Sequence, residues 1–198
     1  MKRPLRLGVL GSGKGSNFRA IVEKIVDGQL DAEVRIVISD VDNSGILKVA
    51  RDFKIPGLYV CPGPFRTRLE PEIEENIVRL LQEAQVELVI LAGFMRIVKQ
   101  PLLSAFPRRI INIHPSLLPK FPGLEAWKQA LAAGERVTGC TVHYVEAAVD
   151  AGEILGAKTV PILLGDTPES LHARIQQSEH VLVPAVIAEI AERFHRRA

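Results

Sequence analysis

Leu5-Arg6-Leu7-Gly8-Val9-Leu10-Gly11-Ser12-Gly13-Lys14-Gly15-Ser16-Asn17-Phe18 sets a short apolar run against a cluster of glycines. A compact apolar stretch that empties into Gly11, Gly13 and Gly15 reads as a buried parallel strand followed by a tight turn. Beyond the turn, Phe18, Ile21, Val22, Ile25 and Val26 recur at helical spacing and make one apolar stripe, which Gly28 stops. The same alternation continues outward. Residues 34–39 read as strand, 44–53 as helix, 58–61 as a short strand, 71–84 as helix and 89–92 as a fourth strand. A short helix near 101–105 precedes a fifth strand at 109–114, and 139–144 and 154–161 supply two more. Thr167 is an N-cap with Pro168 at the first position of a closing helix, in which Pro184 is expected to cause a kink or a break before the basic end at Arg193 to Arg197. Regular alternation of strand and helix predicts a single α/β domain, a Rossmann-like, mostly parallel twisted sheet with helices on both faces. Ligands are then expected beyond the carboxyl ends of the strands.

Composition narrows the function classes. At 198 residues and 47% hydrophobic, the chain can bury one real core, and a second independent domain is not expected. Lys and Arg total 25 against 23 for Asp and Glu, so no broad positive field exists to attract nucleic acid or an anionic membrane. Any anionic ligand must be caught locally. Cys61 and Cys140 form no C-x-x-C pair, which points away from disulfide and thiolate-metal frameworks and toward a reducing, cytoplasmic setting. Met1-Lys2-Arg3 precedes an apolar run that breaks at Gly11 with no small-residue cleavage pattern, so it is not read as an export signal. The acidic cluster Glu70, Glu72, Glu74 and Glu75 reads as a solvated helix start favoured by the helix dipole.

Two places carry chemistry. The turn from Gly11 to Asn17 opens a helix, where backbone N–H groups and the dipole can receive an anion. Ser16 stands where a dinucleotide fingerprint needs its third glycine, and Gly15 stands where a P-loop needs Ser or Thr. The reading favoured is a monophosphate cradle with Gly15, Ser16 and Asn17 as contacts; a turn that only connects strand to helix is the alternative. The second place is Asn112-Ile113-His114-Pro115, at the end of the fifth strand. Strand periodicity puts Asn112 and His114 on one face and Ile113 into packing, and Pro115 holds His114 extended. An amide that donates without changing charge, beside an imidazole that can shuttle a proton, suits an oxyanion formed during acyl transfer. A merely structural Asn–His pair is the alternative. Asp150, before Gly152, can reach this pair on a flexible loop and favour the imidazolium, or it can simply start a turn. No spacing of a familiar zinc site joins these residues, and no metal is expected.

Gly13 to Asn17, Leu91 to Arg96, Asn112 to Pro119, Phe121-Pro122-Gly123 and Val149 to Gly152 together resemble the phosphoribosylglycinamide formyltransferase family of folate-dependent enzymes in order and spacing, over nearly the whole chain. The resemblance implies transfer of a formyl group from 10-formyltetrahydrofolate, as cosubstrate, to the amine of phosphoribosylglycinamide in purine biosynthesis. It implies Asn112, His114 and Asp150 as the catalytic trio, with His143 secondary. It further implies folate contacts at Arg68, at Met95, Arg96, Ile97 and Val98, at Asn112, and at Glu146, Ala147, Ala148, Val149 and Asp150, and a substrate contact at Glu179. A phosphate-binding half over about 1–100 and a folate-binding, catalytic half over about 88–198 follow. Lys14 and the stretch Glu125-Ala126-Trp127 depart from the family pattern. Small molecules are the expected partners, with a monomer or a homodimer both open. A related methionyl-tRNA formyltransferase is longer, and a related deformylase, with water as acceptor, has an added regulatory domain; both fit the short chain less well. A dehydrogenase using Asp40 to hold a ribose, and a non-catalytic folate- or nucleotide-binding module, are the readings from other classes.

Overall fold

Strands buried on both faces must send apolar side chains both ways, and these do. The computed structural model describes residues 3–196. In β1 (Leu5–Leu10), Leu7 and Val9 enter one core and Leu10 the other; in β2 (Ala32–Ser39), Val37 enters the first while Ile36 and Ile38 enter the second. The alternation recurs in β4 (Leu88–Leu91), with Leu88 and Ile90 on the first face and Val89 and Leu91 on the second. Helices α1 (Ser16–Val26), α2 (Gly45–Asp52) and α6 (Pro168–His195) cover the first face through Phe18, Ile46 and Ile187. Helices α3 (Pro71–Glu83) and α4 (Gln100–Ala105) cover the second through Ile77, Leu81 and Leu102. A smaller cluster of Cys140, Val160, Leu171 and Ile175 closes the far edge.

The sheet order is β3-β2-β1-β4-β5-β6-β7, with β3 (Gly57–Tyr59), β5 (Ile110–His114), β6 (Val137–Tyr144) and β7 (Ile154–Pro161) completing it. The first five in that order pair in parallel, and β6 and β7 pair antiparallel. The expected Rossmann-like sheet is present. Its topological switch point lies between β1 and β4, where the chain stops winding one way and starts the other. Thr167 caps α6 as read from sequence: its hydroxyl accepts from Ser170 N at 3.2 Å, and the Ser170 hydroxyl accepts from Thr167 N at 3.0 Å. No helix among the described residues is long and apolar enough to cross a membrane.

Three local readings are corrected. Pro184 does not interrupt α6, which runs through it for 28 residues; the ring is buried, and tertiary packing holds the helix where one backbone donor is missing. Of the expected basic end, Arg193 to Arg196 are described and Arg197 lies outside the described residues, as do Met1 and Lys2. Helix α5 (Ala126–Ala132) was not expected, although Ala126 and Ala130 recur at helical spacing and are both buried. Their small side chains make a weak periodic signal. Glu74 is not a solvated member of the acidic cluster: it is 1% exposed, and its carboxylate accepts the Lys99 N–H at the start of α4 at 3.0 Å. Burial raises that carboxyl above its ordinary value, against the Lys99 and Leu102 N–H groups that pull it down.

β6 lies between β5 and the edge strand β7, which pairs closely along it, and Gly139 permits that approach. A Cβ there would collide with the Lys158 carbonyl and meet a Leu117 methyl at 2.8 Å. Gly139→Ala should lose roughly 1–3 kcal/mol, the usual cost of overpacking, measured by urea unfolding followed with circular dichroism; wild-type stability would show that β7 is free to yield.

Candidate functional site

Parallel pairing brings the ends of β1, β4 and β5 to one edge, and the polar residues met at that edge form two connected groups. The first is at the glycine turn. Gly15 takes a left-handed conformation (φ 79°) as the residue before α1, and no side chain caps the helix, so the N–H groups of its first turn stay open. A Cβ on Gly15 would meet Ile46 Cα at 2.7 Å, so this glycine serves the packing of α1 on α2 as well as the opening of the turn. Asn17 turns its side chain inward: Nδ2 donates to Glu179 Oε2 at 2.8 Å. Glu179 is 5% exposed on α6, not on a solvated face. Burial raises its carboxyl, with the Asn17 amide opposing. Gly15, Ser16, Asn17 and Glu179 are therefore neighbours at one helix start, with exposed Lys14 on the turn. The other departure builds α5, where the Trp127 ring stacks flat on His172 of α6 with centroids 3.8 Å apart.

The second group is centred on Asp150. Asn112 and His114 leave the same face of β5 while Ile113 is buried in the opposite core, as periodicity requires. β6 pairs antiparallel beside them and sets His143 opposite Asn112. The loop after β6 then folds back, with Asp150 in a left-handed conformation (φ 53°), and the Asp150 carboxylate meets all three. Its Oδ2 accepts the Gly123 N–H at 2.8 Å and lies 3.3 Å from His114 Nδ1. Its Oδ1 lies 3.5 Å from Asn112 Nδ2 and 3.5 Å from His143 Nε2. Gly152 makes the return possible, since a Cβ there would collide with the Tyr144 carbonyl.

Proton positions follow from the partners. His143 Nδ1 faces the Tyr144 carbonyl at 2.8 Å, which can only accept, so that nitrogen carries the proton. With Nδ1 so protonated, the uncharged ring offers Nε2 as an acceptor to Asn112 Nδ2 at 3.2 Å, which orients the Asn112 amide with its nitrogen toward His143 and Asp150, whereas the charged ring would donate from Nε2 to Asp150 Oδ1, 3.5 Å away. His114 Nε2 likewise donates to the Phe121 carbonyl at 2.8 Å, leaving Nδ1 toward Asp150. Burial pushes the His114 imidazole below its ordinary value; the Phe121 carbonyl and Asp150 act upward, and His143 adds to the lowering. Burial also works against the Asp150 charge, but the His143 ring, the Gly123 N–H and His114 outweigh it and hold the carboxyl below its ordinary value. The pair is thus a carboxylate facing an imidazole nitrogen that is free to take up a proton. Once protonated, His114 would donate from both nitrogens, to Phe121 and to Asp150.

The turn at residues 115–121 supplies what sequence reading left out. Thr141 Oγ1 donates to the Ser116 carbonyl at 2.7 Å and accepts Leu118 N–H at 3.1 Å, and this brace aims the Phe121 carbonyl at His114. A backbone carbonyl or N–H carries no residue signature, so neither Phe121 nor Gly123 was readable as a contact, although Phe121-Pro122-Gly123 is part of the resemblance.

The remaining expected contacts lie around the same edge. Arg68 and Ile97 form a parallel bridge, and the Arg68 guanidinium lies 3.8 Å over the Phe65 ring. Met95 and Ile97 are exposed and Val98 is buried in the second core. The Arg96 guanidinium is committed to Asp40, with Nε 2.6 Å from Oδ2. Glu146, Ala147, Ala148 and Val149 are exposed on the loop that ends at Asp150. Asp40 is buried and engaged by Arg96 and by Ser12, and is not free to hold a ribose. Among the described residues no group of three or more His, Cys, Asp or Glu side chains is disposed to hold a metal ion.

Comparison with known proteins places the chain firmly. Residues 5–187 match the family model described as formyl transferase. The Bacillus subtilis phosphoribosylglycinamide formyltransferase is 39% identical over 93% of this chain and 94% of its own. A trifunctional purine biosynthetic protein adenosine-3 from Drosophila pseudoobscura pseudoobscura is 44% identical over 97% of this chain, which spans only 14% of that longer protein. The crystal structure of glycinamide ribonucleotide transformylase 1 from Symbiobacterium toebii superposes with a TM-score of 0.92 at 45% identity, covering 97% of this chain and 90% of that one.

Two outcomes check the site's protonation. Nitrogen-15 NMR should show neutral His143 as the Nδ1–H tautomer and neutral His114 as the Nε2–H tautomer; Nε2–H at His143 would overturn the orientation given to Asn112. Because the Asp150 carboxyl is held below its ordinary value on folding, its stabilisation is complete above roughly pH 4 and is lost as pH falls further. Asp150→Asn should therefore remove part of the acid sensitivity of the unfolding midpoint, and an unchanged pH profile would count against a depressed Asp150.

Proposed function

This chain belongs to the formyl transferase family, and from that premise we propose that it transfers the formyl group of 10-formyltetrahydrofolate to the amine of phosphoribosylglycinamide, releasing tetrahydrofolate. The observation that carries the mechanism is the Asp150 carboxylate seated between His114 Nδ1 and the Asn112 amide. Similarity over nearly full length to a phosphoribosylglycinamide formyltransferase supports the choice of substrates.

The chemistry follows from the groups present. The substrate amine attacks the formyl carbon, a C–N bond forms, and negative charge collects on the formyl oxygen. Asn112 Nδ2 gives one hydrogen to His143 and turns the other, held only loosely toward Asp150 at 3.5 Å, to the oxyanion, and His114 adds positive charge close by when its Nδ1 receives the amine's proton by way of Asp150. Asp150 takes the proton that the amine must lose and passes it, through water, toward the folate nitrogen that leaves as its C–N bond breaks. His143 touches no reacting atom in this scheme and orients Asn112. The substrate phosphate sits on the open first turn of α1 at Gly15, Ser16 and Asn17, with Glu179 below it as a further substrate contact. The folate lies along Arg68, Met95 to Val98 and the loop from Glu146 to Asp150, where the backbone and the exposed Met95 and Ile97 are available and buried Val98 serves as backing. The partners are these small molecules, and the free cysteines Cys61 and Cys140 suit a cytoplasmic setting.

Asp150→Asn keeps size and most hydrogen bonding but removes the charge, and kcat should fall roughly 100-fold or more, the scale of a positioned acid–base partner. Asn112→Ala should lower kcat by about 3 kcal/mol in activation free energy, as for other oxyanion donors. The double variant should lose little more than the worse single one, because a disabled unit has little left to lose. Steady-state kinetics with purified substrates test this, with circular dichroism confirming the fold. Near-normal kcat in folded Asp150→Asn would sink the assignment, and tetrahydrofolate release without the amine would point to hydrolysis instead.

A further inference from the structure

Asp40 follows β2 away from the catalytic trio, yet it is only 6% exposed and both carboxylate oxygens are used. Oδ1 accepts the Ser12 hydroxyl at 2.5 Å and Oδ2 accepts Arg96 Nε at 2.6 Å. The same Ser12 hydroxyl accepts the Met95 N–H at 2.9 Å, across the switch point between the ends of β1 and β4. Arg96 also donates to the Phe65 carbonyl, and Ile97 N donates to the Thr67 carbonyl at 2.8 Å. Through Ser12 and Arg96, one carboxylate thus ties residues 95–97 and the exposed loop that carries Arg68 to the central sheet.

The glycine turn does not depend on Asp40 to the same degree. Gly11 N donates to the Ile38 carbonyl at 3.1 Å, Ser12 N to the Gly93 carbonyl at 3.0 Å and Ile46 N to the Gly13 carbonyl at 3.0 Å, none of which involves Asp40. We propose that Asp40 is a positioning residue for the folate cosubstrate, setting the wall at 95–97 and the Arg68 loop through Arg96 and Ser12 without touching ligand. The inference rests on the folate placement given above.

The test is steady-state kinetics for both substrates together with titration of tetrahydrofolate by fluorescence, on Asp40→Asn and Ser12→Ala. Asp40→Asn withdraws the charge from a hydrogen bond to a buried guanidinium, and tetrahydrofolate affinity should weaken roughly tenfold or more. The KM for 10-formyltetrahydrofolate should rise with it, while kcat at saturation and the KM for phosphoribosylglycinamide stay within about threefold. Should Asp40→Asn not fold, Ser12→Ala keeps the ion pair with Arg96 and removes the hydroxyl that joins Asp40 to Met95, with an expected loss of roughly tenfold, the scale of one or two such hydrogen bonds, again on the folate side alone. Equal losses for both substrates, or a fall in kcat with folate KM unchanged, would overturn the proposal. Normal folate affinity in folded variants would do the same. Wild-type protein that binds no tetrahydrofolate would overturn the functional reading and this inference together.

Discussion

Parallel pairing of β1, β4 and β5 is the constraint on which the rest depends. Strands that run the same way finish on the same edge, and here those finishing segments are Gly11 to Asn17, Ala92 to Val98 and Asn112 to His114. Each alone is a turn or a strand end. Side by side they supply an open helix start, an exposed segment at Met95 and Ile97 and the Asn112–His114 pair along one edge of the sheet. The antiparallel pair β6 and β7 adds what parallel strands cannot, because β6 enters from the opposite direction and sets His143 beside Asn112. Its following loop then has to double back, and the carboxylate it carries arrives between His114 and Asn112.

The parts of this arrangement legible in the sequence are those with a local period or a residue signature. Phe18, Ile21 and Val22 at helical spacing and the apolar runs of β1, β4 and β5 declared the α/β alternation, and Asn112-Ile113-His114 declared its own face by the period of two. Other features had no such mark. Pro184 reads as a breaker locally, but packing of α6 on the sheet overrides that preference. Glu74 reads as one of several surface acids, and nothing in its neighbours shows that the Lys99 N–H will sit over it. α5 is built on buried alanines, and its Trp127 meets His172 of α6, a contact across 45 positions of sequence. The contacts that tune the site, the Phe121 carbonyl and the Gly123 N–H, belong to the backbone and leave no trace in residue identity. The resemblance named the trio; the geometry accounts for why those three can act together.

The glycine turn shows how a broken motif is to be read. Ser16 and Gly15 depart from the dinucleotide fingerprint and from the P-loop, and Asp40 could still have been taken for a ribose-binding acid. In the structure that acid is turned inward to Arg96 and Ser12, so the feature that would have kept a dinucleotide reading alive is consumed in tying Arg96 and Met95 to the central sheet. What remains at the turn is an uncapped helix start beside Glu179, with its first backbone N–H groups unpaired by any side chain.

Glu179 is a buried and Asp150 a partly buried acid at the same edge, and burial acts to raise the proton affinity of each. They end on opposite sides of the ordinary carboxylate value because their partners differ. Glu179 receives one neutral amide from Asn17, which is too little to offset its burial. Asp150 is less deeply buried, receives a backbone N–H and lies against two imidazoles, and these outweigh its smaller penalty. A carboxyl that keeps its proton more readily can donate to a hydroxyl or phosphate oxygen of a bound substrate. One that gives it up readily can receive the proton of an attacking amine and release it again. Burial and neighbours together thus set two identical functional groups on opposite sides of one value, and in the proposed reaction that difference divides them between holding a substrate and moving a proton.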